Sequence, residues 1–169
     1  MSSVKKSIDV QRPLTDVYNQ WTRFEDFPAF MDGVEEVQQL DDRRLRWQVH
    51  IGGVERSFEA EIIEQEPDER ISWRTEDGED HTGAVTFHAI DDATTRVDVV
   101  MSYRPEGWVE KTGDALNIID RRVESDLQRF KDLIEDDSLP IGGWRGRIET
   151  RNVKATDPAS TVTPDARRM

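Results

Sequence analysis

A change of period near Tyr103 constrains this chain more than any other feature. From Val34 to Tyr103 the apolar side chains recur at every second residue. Leu45, Trp47, Val49 and Ile51 alternate with Arg44, Arg46, Gln48 and His50, and Phe58, Ala60 and Ile62 with Ser57, Glu59 and Glu61. Ile71, Trp73 and Thr75, then Val85 and Phe87, then Val97, Val99, Met101 and Tyr103 continue the pattern. Turn signals separate the runs: Asp41-Asp42, Gly52-Gly53, Pro67-Asp68, Asp77-Gly78 and Asp91-Asp92. One face apolar and one polar is the mark of an antiparallel sheet wet on one side only, here a meander of about six strands.

After Pro105-Glu106-Gly107 the period becomes helical. Val109, Leu116, Ile119, Val123, Leu127, Phe130 and Ile134 fall at spacings of three, four and seven, and Asp114, Asp120, Arg121, Arg122, Glu124, Asp126, Arg129 and Lys131 between them lie mostly away from that stripe. A helix of about 28 residues spans on the order of 40 Å, long enough to lie across a whole curved sheet. Gly113 leaves room for close approach to that sheet.

At the N-terminus, residues 4 to 11 read as a first strand, followed by a short helix with Pro13 in its first turn and carrying Val17, Tyr18 and Trp21. Phe24, Phe27, Phe30 and Met31, interrupted by Pro28 and ended by Gly33, read as a second short helix plugging one end of a core. The expected fold is therefore α+β. A curved antiparallel sheet wraps around a long C-terminal helix, with two short helices after the first strand. The expected domain covers residues 1–137. Residues 138–169, glycine- and arginine-containing around Trp144, are expected to form a mostly flexible tail, with Trp144 a local hydrophobic anchor.

The run Val17-Tyr18-Asn19-Gln20-Trp21-Thr22-Arg23-Phe24, continued by Phe27-Pro28, Phe30-Met31, Val34 and Val37, carries a resemblance, as do Asp68-Glu69-Arg70-Ile71-Ser72-Trp73-Arg74 and Val85-Thr86-Phe87. These residues resemble the polyketide cyclase/dehydrase-like branch of the START-like (Bet v 1-like, SRPBCC) superfamily, across roughly residues 4 to 136. The resemblance implies a helix-grip fold and an apolar cavity between sheet and helix that holds lipids, polyketides or quinone-like molecules. It carries over no catalytic residue, because the matching positions are packing residues and fold does not dictate function.

Composition narrows the partners. With 36 acidic against 23 basic side chains the net charge is -13, which repels a polyanion, so nucleic acid is not an expected partner. Residues 138–169 carry six basic and three acidic side chains, against 17 and 33 before them. The absence of cysteine excludes disulfides and thiolate chemistry. No run approaches the ~20 apolar residues of a membrane span, and Met1 to Val10 lacks a signal peptide's apolar region. A cytoplasmic monomer or weak homodimer is the expectation.

No residue pattern announces catalysis. His50 and His88 fall on polar sides of their strands, and His81 follows the acidic pair Glu79-Asp80, so all three read as solvated. No metal set, nucleophile elbow or phosphate loop is present, and no cofactor is expected. Thr75 and Tyr103 alone interrupt the apolar sheet face and are the weak catalytic candidates. The expected cavity is lined by Trp47, Val49, Phe58, Trp73, Phe87, Val99, Met101, Tyr103, Trp108, Leu116 and Val123, with Trp108 closing one mouth and Arg104 beside it as a surface ion-pairing group. Three functions follow in order: binding of a small hydrophobic or amphipathic ligand without catalysis, a polyketide cyclase, aromatase or dehydratase, and a protein-interaction module using the basic tail.

Overall fold

The structure is a computed structural model describing residues 2–51, 53–75, 81–103, 115–136 and 141–149. Seven strands form one antiparallel sheet in the order β1-β7-β6-β5-β4-β3-β2. They are β1 (Ser2–Val10), β2 (Val34–Gln39), β3 (Arg44–Ile51), β4 (Val54–Glu66), β5 (Arg70–Thr75), β6 (His81–Asp91) and β7 (Thr94–Tyr103). The six strands after Val34 are a consecutive meander, as their alternation requires. The sheet curls into a half-barrel, with β1 returning to pair with β7.

Helix α1 (Leu14–Trp21) starts where Pro13, extended at φ -62°, can serve as cap without a missing donor, and Asp16 sits in its first turn. A 3₁₀ segment, Phe24–Ala29, follows. Its short pitch and Pro28 turn Phe24 and Phe27 inward together, and both are buried.

Helix α2 (Ala115–Glu135) closes the sheet. Ile119, Leu127, Phe130 and Ile134 are buried along it, at the spacing the sequence shows. Polar contacts fasten it to β1 along its length. Lys6 pairs with Asp120 at 3.0 Å, Lys131 donates to the Asp9 carbonyl, the Gln11 N–H donates to Glu135, and Arg12 donates to the Ile134 carbonyl at 2.7 Å. On its other flank Arg122 reaches Asp32 at 3.0 Å, between the 3₁₀ segment and β2. The expected start of this helix at Val109, together with Arg104, Gly107, Trp108 and Gly113, lies outside the described residues, as do residues 150–169 of the expected tail.

Residues 141–149 differ from the expectation of a mostly flexible tail. Ile141 and Ile148 are buried in the main core cluster, and Ile148 makes a two-bond backbone bridge to Gln65 beyond the point where β3 ends. Arg145 meets Asp68 at 2.8 Å, Arg147 meets Glu66 at 2.6 Å, and Asn19 donates to the Ile141 carbonyl. Gly143 lies so close to α1 that a Cβ there would stand 2.3 Å from the Thr22 hydroxyl. Trp144, expected as the anchor, is 44% exposed; the isoleucines and arginines hold this strap instead.

Candidate functional site

The interior holds two clusters of buried apolar residues. One gathers Tyr18, Trp21, Phe27, Phe30, Phe130 and Ile148; the other gathers Val4, Val49, Phe58, Ala60, Tyr103 and Ile119. Val34, Trp47, Trp73 and Val123 are half-buried and touch both. Between the clusters is a cavity of about 140 Å³ with an almost wholly apolar lining. That is close to the ~150 Å³ of an apolar cavity able to hold a benzene ring, and below the ~300–1,000 Å³ of sites for drug-sized molecules.

Alternate residues of the strands supply one wall: Leu45, Trp47 and Val49 from β3, Phe58, Ala60 and Ile62 from β4, and Ile71 and Trp73 from β5. Trp47 and Phe58 are directly opposite in the β3–β4 register, and their rings stack 6.0 Å apart at 7°. The Trp73 indole lies across Gly83, its partner in the β5–β6 register; a Cβ on Gly83 would be 2.3 Å from the ring. Only glycine leaves this ring its place. The opposite wall comes from Ile119, Val123 and Leu127 of α2, and the aromatic plug with Met31 closes an end.

Among the described residues three ionisable side chains, His81, Arg122 and Asp126, line this apolar space. His81, the first residue of β6, is 7% exposed and lines the cavity, contrary to the expectation of a solvated loop histidine. Burial pushes its imidazole down to about 4, so it is neutral at pH 7. Its Nε2 faces the Trp73 indole N–H at 3.4 Å. The Thr75 hydroxyl holds its backbone, accepting from the His81 N–H and donating to the His81 carbonyl, both at 3.3 Å.

Asp126 enters from α2, an exception among polar residues that lie mostly away from the apolar stripe. Burial pushes its carboxyl up to about 6, against the opposing pull of the Asp32 N–H at 3.3 Å and of Arg122 and Arg129. Arg122 also lines the cavity. A carboxyl within about one pH unit of neutrality can take or give a proton, and a neutral imidazole can orient a polar end of a ligand.

Of the residues expected to line the cavity, Trp47, Val49, Phe58, Trp73, Val99, Met101 and Val123 do so. Phe87 and Tyr103 are buried in the clusters on either side, away from the cavity's described lining. Leu116 falls in α2 with its side chain outside the described ones, and Trp108 lies outside the described residues altogether. Neither weak catalytic candidate faces the cavity. Thr75 is a backbone clamp on His81, and the Tyr103 hydroxyl is buried with no hydrogen-bond partner among the described residues. Both missed groups had a signal. His81 shares the parity of Val85 and Phe87, and Asp126 stands seven residues after Ile119 and four before Phe130.

Comparison with known proteins agrees with this architecture. Residues 10–132 match the family described as polyketide cyclase / dehydrase and lipid transport. A 17.2 kDa protein of Streptomyces lincolnensis is 46% identical over 149 residues, covering 88% of this chain and 99% of its own. A crystal structure of a Deinococcus radiodurans protein is 29% identical with a TM-score of 0.63, covering 79% of this chain and 98% of that one. The Zhui aromatase/cyclase of a Streptomyces species superposes with a TM-score of 0.68 at 16% identity, over 85% of this chain and 99% of that one, a likeness of fold alone. With its curled sheet gripping a C-terminal helix over an apolar cavity, the chain belongs to the polyketide cyclase / dehydrase and lipid transport family.

Proposed function

We propose that this chain binds one small hydrophobic or amphipathic molecule in the cavity between its sheet and α2. The observation carrying this is the apolar space of about 140 Å³ left between two packed clusters. Its size favours a single ring or a short acyl segment, with a polar end turned to His81 or Asp126. Affinity would come from burying ligand surface at about 25 cal/mol per Å², less ordering costs. Native mass spectrometry and thermal-shift measurements with short-chain lipid, polyketide-like and quinone-like probes test the reading. Retention of one molecule, lost in Val123→Trp, is the expected result; no retained ligand and no shift with any probe would overturn it.

A second reading, a cyclase- or dehydratase-type enzyme, is favoured by the same two polar groups. Asp126 would move a proton on a keto or enol substrate while neutral His81 holds its oxygen. Turnover of a short poly-β-keto probe that falls in both Asp126→Asn and His81→Gln supports it; turnover unchanged in both removes it. We further read the chain as a cytoplasmic monomer or weak homodimer. The domain is read as residues 1–137 with the strap added, and the remaining tail as a place for an acidic protein partner. No described helix is long and apolar enough to cross a membrane.

A further inference from the structure

On the outer face of the sheet, behind the cavity wall, Glu35 of β2, His50 of β3 and Glu55 of β4 bring one ligand atom each within 4.8 Å of one another. Backbone register explains the meeting. His50 and Glu55 are directly paired across the β3–β4 hairpin. In the β2–β3 ladder Val34 pairs with Val49 and Glu36 with Gln48, so Glu35 is the extra residue of a β-bulge and has no opposite residue of its own. The bulge leaves its carboxylate free to lean over His50, with Oε2 at 3.9 Å from Nδ1. The His50 N–H donates to the Gly33 carbonyl at 2.7 Å, fixing the central ligand against the start of β2.

The surroundings make an ordinary ion pair a poor account. Other outer-face carboxylates on β4 each have an arginine: Glu59 has Arg46, Glu61 has Arg74 and Glu64 has Arg70. Among the described residues no Lys or Arg pairs with Glu35 or Glu55, and both crowd the same imidazole in a chain of net charge -13. Two like charges held this close repel unless a cation lies between them. One imidazole and two carboxylates suit a borderline cation such as Zn²⁺, whose ligands at about 2.0–2.2 Å from the metal stand roughly 3.4 Å apart in a tetrahedron. Small rotations of three exposed side chains close the difference, and the fourth position stays open to water.

We propose that Glu35, His50 and Glu55 form a surface binding site for a divalent transition-metal ion of the Zn²⁺ class. The ion would tie edge strand β2 to the β3–β4 hairpin. Because Val34 and Val49, the chain neighbours of Glu35 and His50, line the cavity, it would brace the wall from behind.

Isothermal titration with ZnCl₂ in the presence of excess Mg²⁺ tests the site in the full chain. One Zn²⁺ per chain is expected. His50→Ala and Glu55→Gln should each weaken it by about 10- to 100-fold, and His88→Ala, an exposed histidine near Asp98, should leave it unchanged. Co²⁺ bound to wild type should show the visible absorption of a low-coordinate ion, absent from His50→Ala. Binding unaltered in His50→Ala, binding weakened equally by His88→Ala, or no Zn²⁺ taken up in the millimolar range would each overturn the proposal. All three substitutions are on exposed side chains, so folding, checked by circular dichroism, is retained.

Discussion

Beneath α1 and the 3₁₀ segment the interior is filled by rings, while between α2 and strands β3 to β5 it is left open. In the filled region Phe130 of α2 meets Trp21 at 4.9 Å and Phe30 at 5.1 Å, both steeply inclined, and Tyr18 meets Phe87 edge-on at 5.4 Å. Rings borne on helices and turns converge from several directions and interlock edge to face. In the open region the rings belong to neighbouring strands. Trp47 lies parallel to Phe58, and the Trp73 ring occupies the space over Gly83. Strand register sets such rings side by side along the sheet, so they pave a wall of the cavity. The side chains of His81 and Asp126 line this open region.

The largest expected effect is in the filled region. Phe130→Ala should destabilise the fold by about 3–5 kcal/mol, because three interlocked rings cannot collapse into the hole. Val123→Ala, on a half-buried wall position, should cost less than about 2 kcal/mol and enlarge the cavity. Urea unfolding decides between them. Equal costs would break the distinction between a packed and a hollow half.

The two cavity groups should show opposite dependence on pH. Asp126 has a folded-state value near 6, above that of an unfolded aspartate, so the native state takes up this proton first and gains stability as pH falls from about 6 to 4. His81 has a folded-state value near 4, below that of an unfolded histidine, so the unfolded chain takes up this proton first. Its contribution is complete above about pH 6.5 and is lost as pH falls toward 4. Each effect is at most about 3 kcal/mol, and between pH 4 and 6 they offset one another. Relative to wild type, Asp126→Asn should be more stable at pH 7 with an advantage that vanishes toward pH 4. His81→Gln should instead gain on wild type as pH falls through the same window. Parallel profiles for the two variants would contradict this arrangement.

A further substitution tests the paving of the wall. Gly83→Ala places a methyl inside the Trp73 ring's space and should cost about 1–3 kcal/mol, while Gly142→Ala, with nothing within 4 Å of its Cβ position, should cost little. Thermal unfolding of both variants measures the difference. A Gly83→Ala variant as stable as wild type would mean that the indole has a second place to lie.

Much of this was legible in the chain itself. The period-two runs located strands β3 to β7, and the three-four-seven stripe located the buried face of α2, because burial on one side imposes those spacings; the bulge in β2 breaks its alternation. His81 was hidden by local context. Two acidic neighbours suggest a loop, but the residue's parity with Val85 places it on the apolar face once β6 begins at His81. Asp126 was hidden because it borders the apolar stripe, and whether a bordering residue is wet depends on what packs beside it. The size of the cavity follows from how rings tilt across the gap, which no spacing encodes. Strap packing was masked by composition, since glycines that suggest a mobile tail also allow the close approach of Gly143 to α1.

The strap gives the smallest and most discriminating comparison. Arg145 donates to Asn19 at 2.6 Å, pairs with Asp68 at 2.8 Å and stands over the Tyr18 ring at 5.4 Å, whereas Trp144 beside it is exposed. The ion pair is half-exposed and contributes little by itself; the buried Asn19 and Tyr18 contacts add to it. Arg145→Leu should therefore lower stability by about 1 kcal/mol and raise proteolysis within 141–149, and Trp144→Ala should change stability by less than about 0.5 kcal/mol. Limited proteolysis with chemical denaturation reads both. If the tryptophan variant loosened the strap and the arginine variant did not, the segment would be held by apolar anchoring, and its filled-region contacts with α1 would have to be reassigned.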